Sequence, residues 1–421
     1  MDNLVFMKQL KQLLGPGILF AATAIGVSHL VQSTKAGAMF GFSLIGFVAL
    51  ANVLKYPFFE FGSRYAAATG ESIISGYYRL HRFWLYAYLV VTFVSMMFVT
   101  AAVGAVTVGF MENLFGLSAL TGYSHFTHYL LFGGCTLLLV LGRFNVLEKL
   151  VKVLGVVLLV TTIFAFFAAL YKGPATEMNL MPALDQEAWG FLLPLMGWMP
   201  TAIDLSSWNS LWTVEKAKQS NEKFSVKQVV QEFGIGYWSA AILAFLFITM
   251  GAMLVYGTAV EVPGSGAAFS SFVITLYTSS IGEWSFYIIS AAAFSIMLST
   301  FLTVVDGFSR AILASFSLAL HGDENEASSQ RNQRRWAPLI VAAGGLALIL
   351  IYEGDTDSFS MIVNAATTLS FVIAPLIAAL NFRLVMRDKI GSENTPGKFL
   401  KGLSWLGLIY LVGFLVWFVL Y

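Results

Sequence analysis

The first long apolar segment of the chain reads GPGILFAATAIGVSHLVQSTKAGAMFG over residues 15–41. Four residues in its middle, Gly26-Val27-Ser28-His29, interrupt the apolar run with a glycine, a hydroxyl and an ionisable ring. Inside a membrane, the backbone groups freed by such an interruption are tolerated only where they line a cavity or meet a ligand. The segment therefore predicts a membrane helix that is broken at a functional site.

The composition places the whole chain among membrane proteins. Of its 421 residues, 58% are apolar and 11% are charged, and the mean hydropathy is +0.77. A helix needs about 20 apolar residues to cross the hydrocarbon layer, and strands would need a closed barrel of alternating polarity. We expect an all-α polytopic protein without a removable signal peptide. Its eleven predicted spans are residues 17–38, 41–63, 83–111, 127–142, 147–171, 189–212, 232–257, 284–314, 337–352, 358–381 and 403–421.

Basic residues alternate between the two sides of these spans. Most of the 24 Lys and Arg lie in the N-terminus and in the loops after even-numbered helices, whereas the other loops carry mainly acids. Cytoplasmic loops are enriched in Lys and Arg. We therefore expect a protein of the plasma (inner) membrane with its N-terminus in the cytoplasm and its C-terminus outside.

The second half of the chain contains an interruption that matches the first. Met196-Gly197-Trp198-Met199-Pro200-Thr201 breaks the sixth predicted span. We expect one transmembrane domain built from two inverted five-helix repeats, residues 17–171 and 189–381, followed by an extra helix at 403–421. Paired broken helices indicate a substrate site at the membrane midplane of a secondary transporter. The alternative is a pair of packing kinks, because Gly and Pro are common in membrane helices.

Several motifs resemble those of the Nramp divalent-metal transporters. The family carries Asp-Pro-Gly-Asn at positions 26–29 of this chain. Arg64-Tyr65-Ala66-Ala67-Ala68-Thr69-Gly70 resembles the family's Arg-Leu-Gly-Val-Ala-Thr-Gly, and Asn145-Val146-Leu147-Glu148 is similar to its Arg-Lys-Leu-Glu. Met199-Pro200 falls where the family has Met-Pro-His, and Ser299-Thr300-Phe301-Leu302-Thr303 matches a hydroxyl-rich run in helix 8. The resemblance implies the LeuT-type fold and alternating access.

The metal chemistry of the family is not retained at these positions. The family's Asp and Asn in helix 1 and its Met in helix 6 bind the metal, and here they align with Gly26, His29 and Met199. Its helix 6 histidines align with Thr201 and Ser206, and the helix 3 acid expected in residues 100–104 is absent. A hard divalent ion prefers carboxylate oxygens. The substitutions therefore favour a small anion or a carboxylate-bearing solute.

The candidate substrate site combines the two interruptions. Amides at the start of a half-helix favour the binding of an anion, and Ser28 adds a hydroxyl group. An ionisable residue inside a membrane helix, such as His29 or Asp204, is a functional candidate. Close packing of small residues and a structurally bonded histidine are the alternatives. The candidates are Gly26, Val27, Ser28, His29, Trp198, Met199, Thr201 and Asp204. A rival interpretation is a soft-metal site made of His29, Met199 and Asp204.

Five further residues are candidates for ion coupling or gating. Asp306 lies four residues before Arg310, and Glu60 lies four residues before Arg64, which predicts an ion pair within each helix. Asp306 also lies near Thr300 and Thr303 in the sequence. The more specific hypothesis is that these residues bind a coupling ion. The Glu60–Arg64 pair is interpreted as structural or gating.

Other functional classes lack support in the sequence. No phosphate-binding loop, zinc cluster or nucleophile motif is present, so we expect neither an enzyme nor a cofactor. The expected partners are the lipid bilayer, a small solute or ion and, as a further candidate, a coupling ion, but no nucleic acid. Cys135 is expected to be buried in an apolar run. A non-transporting membrane sensor is the weakest alternative.

Overall fold

The structure is a computed structural model that describes residues 16–141, 144–177, 179–220, 224–324, 331–352 and 358–420. Within these ranges every regular element is helical. The elements are α1 (Pro16–Ala24), a π-helical turn (Ser28–Ser33), α2 (Thr34–Phe40), α3 (Ile45–Thr69), α4 (Ile73–Leu80), α5 (Arg82–Phe115), α6 (Leu117–Thr121), α7 (Phe126–Leu141), α8 (Phe144–Lys172), α9 (Gln186–Gly197), α10 (Leu205–Ser220), α11 (Val226–Leu254), α12 (Gly266–Ile281), α13 (Phe286–His321), α14 (Arg331–Ile351), α15 (Ser358–Val385) and α16 (Lys398–Leu420), with short 3₁₀ turns at Glu283–Ser285, Asp388–Ile390 and Ser392–Asn394.

The all-α prediction is confirmed. The first predicted span comprises α1, the π-helical turn and α2, and the sixth comprises α9 and α10. Each of the other nine predicted spans corresponds to one helix, namely α3, α5, α7, α8, α11, α13, α14, α15 and α16. Cys135 is buried, as expected. The division into inverted repeats at 17–171 and 189–381 stays a prediction.

Besides the five-residue helix α6, two helices were not predicted from the sequence. The short helix α4 begins after Ser72, whose side chain accepts a hydrogen bond from the Ser75 amide. The helix α12 begins after Ser265, whose side chain accepts from the Ala268 amide. With 16 residues α12 is shorter than a membrane span requires, and its mixture of apolar and hydroxyl residues resembles a loop. Such short capped helices are set by local hydrogen bonds, which a search for long apolar segments does not detect.

The lengths of the helices fit an integral membrane protein. In the described ranges, six helices are long and apolar enough to cross a bilayer. They comprise Arg82–Phe115, Gly155–Lys172, Val226–Leu254, Glu283–His321, Phe359–Val385 and Lys398–Leu420. The last of them exposes Phe399, Trp405 and Ile409 on its outer surface, as a helix in contact with lipid does.

Glycines bring the first span close to α11. A Cβ added to Gly37 would collide with the carbonyl oxygen of Ile248, and a Cβ on Gly251 would lie 2.8 Å from the amide nitrogen of Ala38. On α1, a Cβ on Gly17 would lie 2.5 Å from the carbonyl oxygen of Glu232. Small residues allow membrane helices to pack closely. The backbones of α1, α2 and α11 are therefore in near contact, which fixes the position of the interruption between α1 and α2.

This contact predicts the effect of one added methyl group. The substitution Gly251→Ala should lower the free energy of unfolding by about 1–3 kcal/mol, the usual cost of overpacking. Gly190→Ala in α9 is the matched control, because no atom lies within 4 Å of its added Cβ. Thermal unfolding in detergent would measure both variants. Equal midpoints for Gly251→Ala and the control would contradict the close packing of α2 on α11.

Candidate functional site

The two interruptions predicted from the sequence differ in form. The helix α1 ends at Ala24, Ile25 and Gly26 form a turn, and the chain continues as the π-helical turn. The amides of His29 and Leu30 both donate to the carbonyl oxygen of Gly26, at 3.2 and 3.0 Å. The first interruption is therefore a widened helical turn in which these two amides are already bonded. Between α9 and α10, by contrast, residues 198–204 form no regular helix.

A small cavity lies between the two interruptions. Its volume of about 20 Å³ is enough for a water molecule or a small ion. The lining comes from the first span, α5, the second interruption with α10, and α13. It comprises Thr23, Val27 and Ser28; Val99 and Val103; Trp198, Thr201, Ala202, Leu205 and Trp208; and Thr300 and Val304. The wall is thus made of apolar and hydroxyl-bearing side chains together with two indoles, and none of these residues is charged.

The cavity separates the predicted site residues into two groups. Val27, Ser28, Trp198, Thr201 and Thr300 line it. The other candidates are absent from the lining: Gly26, His29, Met199, Asp204, Thr303, Asp306, Glu60 and Arg64. The candidates that line the cavity are therefore all uncharged, and the ionisable candidates lie outside it together with Gly26, Met199 and Thr303.

Trp208 supplies a hydrogen-bond donor that the sequence reasoning did not assign. Its side chain is fully buried, and its Nε1 has no hydrogen-bond partner among the described residues. The other indole in the wall differs, because Trp198 Nε1 donates to Ser370 Oγ at 2.8 Å. A buried donor without a partner is unusual in a native structure. Trp208 is therefore a residue of the cavity lining whose indole N–H lacks an acceptor among the described residues.

Most hydroxyl groups of the lining donate to helix carbonyls. Thr23 Oγ1 donates to Leu19 O at 2.7 Å and Thr300 Oγ1 to Ala22 O at 3.2 Å. Ser28 Oγ donates to Ala24 O. A hydroxyl oxygen that has donated its proton keeps lone pairs for accepting. These groups give the wall polarity without a net charge.

Gly26 lies directly against Thr300 of α13. A Cβ added to Gly26 would lie 2.6 Å from both Oγ1 and Cγ2 of Thr300. Real Cβ atoms do not approach other atoms so closely, so a larger residue requires one of the helices to move. The glycine that replaces the family's carboxylate thus allows α1 and α13 to touch.

His29 bonds to backbone rather than to the cavity. Its Nδ1 lies 2.6 Å from Ala24 O and 2.8 Å from Ser28 Oγ, and its Nε2 lies 2.8 Å from Ala240 O on α11. The ring is fully buried. This arrangement matches the alternative of a structurally bonded histidine.

Met199 and Asp204 lie in separate surroundings. Ser33 Oγ donates to Met199 Sδ at 3.9 Å. Ser95 Oγ of α5 donates to Asp204 Oδ2 at 3.1 Å, while Asp204 Oδ1 has no partner in the described part of the chain. A search of the described residues finds no group of three or more His, Cys, Asp and Glu that could hold a metal ion. In this conformation the three residues of the soft-metal hypothesis do not converge on one point.

Both predicted ion pairs are present. Glu60 Oε1 and Arg64 Nε are 2.7 Å apart, and Arg64 also donates to Asn394 O at 2.6 Å. Asp306 Oδ2 and Arg310 Nε are likewise 2.7 Å apart, and Trp212 Nε1 donates to the same oxygen at 3.2 Å. Asp306 Oδ2 thus has two partners within the protein, whereas Glu60 is paired only through Oε1, and its buried Oε2 has no partner among the described residues.

Thr303 connects α13 to α1. Its Oγ1 lies 3.0 Å from Thr23 Oγ1 and 2.9 Å from the carbonyl oxygens of Ser299 and Thr300 in its own helix. Thr303 therefore ties a residue of the cavity wall to α13 without lining the cavity itself.

Lys55 is a second residue that the sequence reasoning missed. It is fully buried on α3, and its Nζ donates to Met196 O at 3.0 Å and Gly197 O at 3.1 Å, at the end of α9. The sequence did contain an indication of its importance, because Lys55 is the only lysine in the predicted span 41–63 and an ionisable residue inside a membrane helix is a functional candidate. The partners of Lys55 are backbone carbonyls of a distant helix, so its role could not be inferred from its neighbours in sequence.

Comparison with known proteins identifies a family. Residues 17–421 match the model of the Nramp family, described as natural resistance-associated macrophage protein-like. An uncharacterized protein of Pasteurella multocida (strain Pm70) is 34% identical over 415 residues, which cover 96% of this chain and 91% of the relative.

Solved structures share the fold at low sequence identity. A manganese transporter of Eremococcus coleocola, in complex with an aromatic bis-isothiourea substituted compound, is 16% identical with a TM-score of 0.72, over 97% of this chain and 86% of that one. MhsT in complex with L-phenylalanine is 13% identical with a TM-score of 0.58, over 96% and 97% of the two chains. These similarities show the LeuT-type fold.

The contact between Gly26 and Thr300 predicts the effect of a pair of substitutions. Gly26→Ala should lower the free energy of unfolding by about 1–3 kcal/mol. Adding Thr300→Ala removes the two atoms nearest the new methyl group. The double variant should therefore lose less free energy of unfolding than the sum of the losses of the two single variants. Thermal unfolding of the four proteins measures this coupling. Gly46→Ala is the control, since no atom lies within 4 Å of its Cβ. Strictly additive losses would contradict the contact.

Proposed function

The chain belongs to the Nramp family, and from this premise we propose that it is a secondary active transporter of a small anion or a carboxylate-bearing solute. It works by alternating access, with the substrate held between the first span and the interruption of α9 and α10. The fold supports the transporter part of the proposal, because the structural neighbours are LeuT-fold transporters.

The free indole N–H of Trp208 is the observation that carries the choice of substrate. An indole nitrogen can donate a hydrogen bond but cannot accept one or bind a metal cation. A carboxylate or other anion supplies the acceptor that this buried donor lacks. Thr201 adds a hydroxyl to the same wall, which can also donate.

The helix α10 favours negative charge in the same place. Its first residue, Leu205, lines the cavity together with Ala202 and Trp208. The start of a helix carries a partial positive charge that attracts anions. None of the lining residues is acidic, so the cavity lacks the carboxylate that a hard divalent cation prefers. Asp204, which precedes Leu205, is outside the lining and accepts a hydrogen bond from Ser95 of α5.

The size of the cavity supports a transport cycle with moving helices. A space of about 20 Å³ admits water or a small ion, so an organic solute requires the walls to separate. Rocking of α1, α9 and α10 against α5 and α13 would open the space to one side of the membrane at a time. Thr300, Thr303 and Asp306 would act in gating or ion coupling, since each links α13 to the first span or to α10. The Glu60–Arg64 pair, which lies within α3, would act in gating.

The soft-metal hypothesis requires a rearrangement. His29 and Asp204 now bond to α11 and α5 respectively, and only Met199 keeps the identity that the family resemblance implies for a metal ligand. A site formed from all three would need His29 to leave Ala24 and Ala240. The non-transporting sensor remains the weakest alternative.

We further propose an orientation with the N-terminus in the cytoplasm and the C-terminus outside the plasma (inner) membrane. In a Cys135→Ser background, a membrane-impermeant thiol reagent should label Glu261→Cys in intact cells. It should label Lys398→Cys only after the membrane is made permeable. The unsubstituted Cys135→Ser protein, which lacks cysteine, serves as the control for background labelling. The reverse pattern would contradict the orientation.

The substrate proposal predicts a difference between two tryptophans. Purified protein in liposomes should take up one or more members of a panel of organic and inorganic anions, in preference to Mn²⁺. Trp208→Phe removes the N–H but keeps an aromatic ring, and it should weaken substrate binding about tenfold, as for one lost hydrogen bond to a charged group. Trp405→Phe, at a residue exposed on α16, should have no effect. Saturable Mn²⁺ uptake with no anion uptake would contradict the proposal.

A further inference from the structure

Lys55 places a buried amino group at the second interruption. Its side chain is fully enclosed, and Nζ reaches the carbonyl oxygens of Met196 and Gly197, at 3.0 and 3.1 Å. These residues end α9, and Trp198, which lines the cavity, follows at once in the chain. Lys55 Nζ therefore contacts the residue that directly precedes a residue of the proposed substrate site.

The surroundings of Lys55 favour a cation without supplying a carboxylate. The carbonyl end of a helix carries a partial negative charge, and Nζ lies 5.8 Å from the centroid of the Phe59 ring, within range of a cation–π interaction. The ion pairs found among the described residues do not include Lys55. Its positive charge is thus balanced by backbone dipoles and an aromatic face.

The close approach of α15 holds these carbonyls in place. A Cβ on Gly197 would collide with the carbonyl oxygen of Thr367, so the end of α9 is fixed between α3 and α15. Met196 O is also approached by the amide of Met199, at 3.4 Å. The two carbonyl groups contacted by Lys55 are therefore held in position by the packing around the interruption.

Helix ends and unwound carbonyls at such interruptions are where transporters bind inorganic cations. We propose that Lys55 is a resident cation: its tethered ammonium occupies the carbonyl site of Met196 and Gly197 in place of an inorganic cation, and it excludes metal cations from the adjoining cavity. This inference deepens the proposed function, because a fixed positive charge beside the cavity favours an anionic substrate. It also explains why Met199 can persist without a metal site around it.

The inference predicts that removal of the charge creates a site for a cation. Lys55→Met keeps a long apolar stem and removes the side-chain donor from the two carbonyls. The purified variant should be destabilised in choline chloride and stabilised again, saturably and by about 5 °C or more, by Na⁺, K⁺ or Mn²⁺ at matched ionic strength. Lys55→Arg keeps the charge and should stay insensitive to these cations. Lys401→Met, near the start of α16, is the matched control.

The wild-type protein provides a second test that needs no substitution. Its unfolding midpoint should be the same in choline, Na⁺ and K⁺ salts and should not rise saturably with Mn²⁺. A saturable rise for the wild type, or a folded Lys55→Met variant that no cation stabilises, would overturn the inference. Neither measurement uses uptake. Failure of the transport assay with anions would therefore reject the proposed function while leaving the result for Lys55 to stand by itself.

Discussion

The structure depends on one constraint: a helix that is interrupted inside a membrane must find partners for its last backbone carbonyls within the protein. At the end of α1, Ala24 O is met by Ser28 Oγ and lies 2.6 Å from His29 Nδ1. At the end of α9, Met196 O and Gly197 O accept hydrogen bonds from Lys55. Carbonyl groups at both interruptions are thus in contact with side chains of the same chain.

The positions that align with the family's metal ligands have other contacts in this chain. In Nramp transporters, to which the first interruption is similar, these positions supply metal ligands. Here Gly26 is pressed against Thr300, and His29 bridges Ala24 and Ala240. The scaffold of the family is retained, while in this structure Gly26 packs against α13 and His29 contacts backbone carbonyls. The cavity that remains is uncharged, with a free indole N–H in its wall.

The sequence was sufficient for those features that depend on local pattern. Apolar length predicted the spans, Gly and Pro predicted both interruptions, and spacing by four residues predicted the pairs Glu60–Arg64 and Asp306–Arg310. It was insufficient where a partner lies far along the chain. His29 reaches a residue 211 positions away and Lys55 one 141 positions away, so their roles follow from how helices pack. Trp208 likewise becomes a candidate only because the structure shows that its indole N–H lacks a partner among the described residues. The roles assigned to the site residues stay predictions.

The central claim is that the space between the two interruptions binds an anion and not a metal. Its most direct test is the location of Mn²⁺ and of a transported anion in experimental structures of the protein, with anomalous diffraction at the manganese edge. The account predicts no manganese peak near Met199 Sδ and, with the anion present, new density within hydrogen-bond distance of Trp208 Nε1. A manganese peak at coordination distance from Met199 Sδ would contradict it.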